Sequence, residues 1–162
     1  MVEPWEFYAQ QLSECAAIAG ITEERWQQFL DSIRTLNEHN PAHACHSLRV
    51  GIYAFGLAQY EEQADLKYPL YAGCGHDIGK CDILNEVIDH PDFGPEQMAI
   101  MRAHPQFGFD RLQSRYLFTA FVAGLHHKFQ PDGYGIDLDE VAPFPLSEAA
   151  EATIIRMAHL VM

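Results

Sequence analysis

Trp26-Gln27-Gln28-Phe29-Leu30-Asp31-Ser32-Ile33-Arg34-Thr35-Leu36, residues 26–36, is the stretch whose period decides the fold class. Its apolar residues, Trp26, Phe29, Leu30, Ile33 and Leu36, recur at three- and four-residue intervals, which line one face of an α-helix. A stripe of this width packs into a core and is not a cofactor box. Upstream, Thr22 stands where an N-cap is needed, and Glu23 and Glu24 fill the first turn, where the positive helix end favours carboxylates. Downstream, Asn40-Pro41 breaks the pattern.

The same reading extends outward in both directions. Trp5–Ala19 reads as a helix ended by Gly20, and a third helix runs from about Ala42 to Tyr60 with Leu48, Ile52 and Phe55 inward. Leu66–Gly75 continues apolar, tolerates Pro69 in its first turn, packs closely at Gly73 and Gly75, and leads into His76-Asp77. Cys81–Pro95 reads as a loop with a short helical turn. Glu96–Ala103 and Gln106–Ser114 read as two helices bent at Pro105, and Tyr116–His127 as another. Gln130–Pro145, with Pro131, Gly133, Gly135, Pro143 and Pro145, is the longest irregular segment and is able to reach over a pocket. Ser147 caps a last helix, Glu148 to about Val161. With no repeat and no sustained alternation, the expectation is an all-α bundle of about seven helices. It forms a single domain over 1–162, with N-terminal helices in 1–40 and a core in 42–160.

Composition bounds the function. A chain of 162 residues buries about 70% of its unfolded surface and needs no disulfide or metal merely to fold. Ten Lys and Arg against 23 Asp and Glu leave a net charge of −13, which disfavours binding to a nucleic-acid polymer. Small anions are not excluded, because bound cations reverse the field inside a pocket. No apolar run reaches the roughly 18 residues of a membrane span. The start Met1-Val2-Glu3-Pro4-Trp5-Glu6 lacks the basic segment of a signal peptide, so a cytoplasmic protein without membrane contact is expected. Cys15, Cys45, Cys74 and Cys81 form no CxxC pair and read as buried free thiols.

Nine histidines are many for this length, and four candidate ligands fall as adjacent pairs at helix ends, His76-Asp77 and His126-His127. His46 and His104 lie on further helices. Imidazole and carboxylate together suit iron, manganese, zinc or nickel, and converging helices can supply them from several directions. A carboxylate can bridge, so Asp77 is the natural ligand shared by two metals, with a bridging water or hydroxide as nucleophile.

Five elements occur in order: His46-Ser47-Leu48-Arg49-Val50, His76-Asp77-Ile78-Gly79-Lys80, His104-Pro105 with Gly108, His126-His127, and Asp132-Gly133-Tyr134-Gly135. This series resembles the HD superfamily of metal-dependent phosphohydrolases, and within it the HD-GYP branch, over about residues 42–160. The resemblance implies that His46, His76 and Asp77 hold one divalent metal and that Asp77, His104, His126 and His127 hold a second. It places His159 where the family has a last aspartate ligand. It further implies hydrolysis of a nucleotide phosphoester, with cyclic di-GMP the specific candidate and Lys80 meeting the phosphate. Lys80, three residues beyond Asp77, either reaches an anion there or remains a solvated charge. Arg49, three residues beyond His46, either forks onto a phosphate or closes an internal salt bridge, and Tyr134 lies in the loop that would contact substrate.

Four positions depart from the branch's pattern: Ala42 replaces a glutamate, Lys128 follows the double histidine, Gly135 replaces the proline of Gly-Tyr-Pro, and His159 replaces the aspartate. They motivate an alternative reading, a catalytically degenerate signalling domain that binds metal or nucleotide and regulates a partner protein through the Gln130–Pro145 loop.

Overall fold

The computed structural model describes residues 4–141 and 146–162. Met1–Glu3 and the 142–145 end of the irregular segment, with Pro143 and Pro145, lie outside the described residues. The described residues are all-α and contain no strand. The chain divides into two compact units at Gly75/His76.

The first unit contains α1 (Pro4–Ile18), α2 (Glu23–His39), α3 (Pro41–Tyr60) and α4 (Lys67–Gly75). The diagnostic stripe behaves as its period requires: Trp26, Phe29, Leu30, Ile33 and Leu36 are all buried. Phe29 meets the Tyr71 ring edge-on at 4.6 Å and so ties α2 to α4. Thr22 Oγ1 accepts from the Arg25 amide as expected of an N-cap. A single residue, Asn40, separates α2 from α3. Its amide closes the end of α2 on the Leu36 carbonyl, while its side chain accepts from the His43 amide and opens α3.

The second unit opens on a 3-10 helix (Ile78–Asp82), followed by α5 (Asn85–Ile88), α6 (Pro95–Met101), α7 (His104–Leu112), α8 (Leu117–Leu125), α9 (Leu138–Val141) and α10 (Glu148–Leu160). Among the described residues the α-helices number ten, but α5 and α9 are single turns of four residues, too short to show a period, and the other eight stand close to the expected seven. In α8, residues Thr119–Leu125 are buried all round, and the helix packs on α7 and α10, with Phe109 and Phe121 in ring contact at 5.7 Å. Ser147 Oγ caps α10 by accepting from the Ala150 amide. Gly79 sets the approach of the 3-10 helix to α7, because a Cβ there would collide with the His104 carbonyl and the Gly108 amide. A two-point ion pair, Arg111 Nη2 to Asp82 Oδ1 at 2.8 Å and Arg111 Nε to Asp82 Oδ2, pins the other end of that 3-10 helix.

Two expectations are corrected. The helix expected to continue to His127 stops at Leu125, where the Lys128 amide turns back onto the Leu125 carbonyl. His126 and His127 thus sit on a turn. The four cysteines are free, but only Cys74 is fully buried. No helix of the described residues is long and apolar enough to cross a membrane.

Candidate metal centre

Asp77 lies at the entrance to the 3-10 helix, and its two carboxylate oxygens face different groups. Oδ1 is 3.4 Å from His104 Nε2 and 3.5 Å from His126 Nε2. Those two nitrogens are 3.2 Å apart, so the three atoms form a nearly equilateral triangle. Metal–ligand bonds of about 2.0–2.1 Å put neighbouring ligand atoms roughly 3.0–3.4 Å apart in tetrahedral or octahedral geometry. The triangle therefore has the dimensions of one face of such a polyhedron. Oδ2 is 3.4 Å from His76 Nε2 and 2.7 Å from Lys80 Nζ.

The protonation of the two central imidazoles follows from their backbone partners. His104 Nδ1–H donates to the Met101 carbonyl and His126 Nδ1–H to the Ala123 carbonyl, each at 2.7 Å and each three residues back. With the proton on Nδ1, a neutral ring presents its Nε2 lone pair. Burial pushes the pKa of His104 down to about 3 and that of His126 to about 4, against the opposing pull of Asp77. Both rings are accordingly neutral near pH 7, with two lone pairs and a carboxylate oxygen converging on one point. Such an arrangement is repulsive until a cation joins it. Imidazoles anchored through the second nitrogen to a carbonyl are the usual form of metal-ligating histidine.

Asp77 remains ionised in this setting. Burial opposes its charge, but the field of His76 and the Lys80 ammonium outweigh that penalty and hold its carboxyl well below the usual range. Asp77, His76, His104 and His126 are each 1–2% exposed, while Lys80, which pairs with Asp77, keeps its side chain partly in water.

His127 is held differently. It is half-buried, its ring nitrogens belong to a group with those of His104 and His126 all within 4.8 Å, and its Nδ1 faces Gln130 Oε1 at 2.9 Å. Tyr134 stacks on it with centroids 4.7 Å apart and an interplanar angle of 20°. The loop that carries Tyr134 is fastened by its amides, Tyr134 to the His127 carbonyl and Ile136 to the Gly124 carbonyl. Gly135 has φ +133°, and a Cβ there would strike the Gly124 carbonyl, so the proline of the Gly-Tyr-Pro pattern, fixed near −65°, has no place in this loop.

Asp77, His104, His126 and His127 thus come together, with His76 and Lys80 beside the second carboxylate oxygen. His46 and Arg49 belong to α3 of the first unit. Arg49 lines a cavity of about 590 Å³ there, with Trp5, Tyr8, Asn37, Ala42 and Cys45. His159, expected as a ligand, is in no group of metal-competent side chains among the described residues. It is exposed, donates from Nδ1 to the Ile155 carbonyl at 2.8 Å, and stacks on Phe129 at 4.5 Å. Lys128 pairs with Asp137 at 3.8 Å. Gln130 and Arg102 escaped the sequence reading. Gln130 carries a faint signal, lying three residues beyond His127. Arg102 meets the loop 30 positions away and carries none.

The chain matches no family model, no curated protein and no solved structure.

Proposed function

We propose that this chain is a metal-dependent phosphohydrolase acting on a nucleotide phosphoester. A divalent transition metal would be held by Asp77 Oδ1, His104, His126 and His127. The observation that carries the reading is the convergence of two neutral, carbonyl-anchored imidazoles and a buried carboxylate oxygen at separations of 3.2–3.5 Å. Nitrogen and carboxylate donors fit iron, manganese, nickel or zinc. When bound, such a cation supplies Lewis acidity that offsets charge on a phosphoryl group and activates water for attack. The HD-GYP resemblance adds the substrate class, with cyclic di-GMP the specific candidate, and a second metal that shares Asp77.

The chain's own groups supply the rest. Asp77 sets the position of the cation, and the Met101 and Ala123 carbonyls keep both imidazole lone pairs aimed at it. Lys80, on Asp77 Oδ2, brings an ammonium to the edge of the centre, where it stabilises a phosphoryl oxygen. Tyr134 keeps its phenolic proton, since burial and the field of Asp77 raise its pKa, and it offers a donor beside His127.

The test is elemental analysis of protein purified without chelators, then assay of the iron-, manganese- or nickel-loaded chain on cyclic di-GMP, generic phosphodiesters and nucleoside monophosphates. Stoichiometric metal and turnover abolished by Asp77→Ala support the reading. A chain without transition metal, indifferent to His104→Ala, sinks it. The Lys80–Asp77 pair favours one second reading: the ammonium occupies the oxygen a second cation would need, as in a degenerate domain that binds one metal or a nucleotide and signals to a partner. Nucleotide binding without turnover under every metal selects that alternative.

A further inference from the structure

The three histidines nearest Asp77 Oδ1 are not equally secured. His104 and His126 are tied to backbone carbonyls of helical segments, whereas His127 relies on two side chains, Gln130 at its Nδ1 and Tyr134 on its face. Tyr134 in turn lies in a loop whose Asp132 has φ +58°, a left-handed turn position that aspartate tolerates. Arg102 contacts this turn from outside the loop. Its Nη1 donates to the Asp132 carbonyl at 3.3 Å, and its guanidinium lies over the Tyr134 ring at 5.0 Å from the centroid. Arg102 follows α6 directly and stands two residues before His104, so it is anchored at the same corner that positions the other ligands.

We infer that Arg102 is a positioning residue for His127: by clamping Asp132 and Tyr134 it holds the Tyr134 ring against the imidazole and keeps that ring turned toward the metal centre. The inference rests on the metal-binding reading above for its consequence, but the contact chain Arg102–Tyr134–His127 stands on its own geometry. His127 is then a conditional ligand, and the state of an exposed arginine sets how tightly the centre retains its cation.

The experiment uses the full chain freed of metal and titrated with Co²⁺ alone, followed by calorimetry and by visible absorption, whose intensity reports the ligand set. Arg102→Ala is expected to weaken Co²⁺ binding by up to about tenfold, the lower end of the usual effect of removing a group that orients a ligand. Arg102→Lys, which keeps a cation over the ring, recovers most of it. Adding Arg102→Ala to His127→Ala brings no further loss, because the arginine acts through that histidine. In the metal-free chain, the His127 ring resonance, shifted by the Tyr134 ring current, moves in Arg102→Ala and returns in Arg102→Lys, while those of His104 and His126 stay in place. Unchanged Co²⁺ affinity in Arg102→Ala, or losses that add in the double variant, overturn the inference, as does an unmoved His127 resonance. Failure of the unaltered chain to take up Co²⁺, with the resonance pattern as expected, removes the metal-binding reading and leaves the clamp standing.

Discussion

The turn after α8 carries two adjacent histidines that the fold treats in opposite ways. His126 is buried, and its Nδ1–H bonds the Ala123 carbonyl within the helix it terminates. His127, one residue on, is half-buried and depends on Gln130, Tyr134 and, through Tyr134, on Arg102. A ring anchored to helical backbone moves only if the helix does. A ring anchored to loop side chains can be released by local opening, at a much lower free energy than global unfolding. The cluster therefore combines a rigid pair of imidazoles with an adjustable third.

The sharpest way to break this contrast is to remove each ligand in turn. His126→Gln should weaken metal binding by more than about 100-fold, whereas His127→Gln should cost roughly tenfold, both read by calorimetry against a single metal. Equal losses would show that the two rings are equivalent and that the anchoring difference has no consequence.

Next in size is Gly135→Pro, the change that restores the Gly-Tyr-Pro pattern of the resembled family. Proline cannot adopt φ +133°, so the variant should lose about 2 kcal/mol or more by denaturant unfolding. Its metal affinity should fall to that of His127→Gln and no further, since His104 and His126 do not depend on the loop. A stable Gly135→Pro chain with improved metal binding would refute the loop geometry.

The last contrast is one of pH, in metal-free protein. His104 and His126 are held neutral in the fold, at about 3 and about 4, but titrate near 6.5 when unfolded. The unfolded chain binds more protons between these limits, so stability falls as pH drops from about 6.5 toward 4, with uptake of about two protons on unfolding. Asp77, with its lowered pKa, adds stability above the unfolded value near 3.9, and that contribution is lost only at lower pH, as the folded group itself protonates. His127, whose pKa is also lowered but which is half-buried, contributes less. Thermal melts from pH 7 to 4 check this, and His126→Gln should flatten the slope more than His127→Gln.

Much of this architecture was legible from neighbouring residues. The Thr22 and Ser147 caps are hydrogen bonds three positions long, and the Trp26–Leu36 stripe is a period within one helix. Candidate ligands His76, Asp77, His104, His126 and His127 were legible as residue types that share one chemistry. His159 was not: its neighbours in sequence match the family's last ligand, but the ring is taken by Phe129, a contact across 30 positions. The single turns α5 and α9 are too brief to leave a period.

Backbone hydrogen bonding and side-chain periodicity act over a few residues, which is why helices, caps and the all-α class follow from the chain as written. Separations such as the 3.2 Å between His104 and His126, the left-handed φ of Asp132 and the clamp from Arg102 depend on segments 22 to 30 residues apart being packed together. Close packing and the exclusion of water fix those distances and keep both imidazoles neutral, and neither acts until the helices have docked.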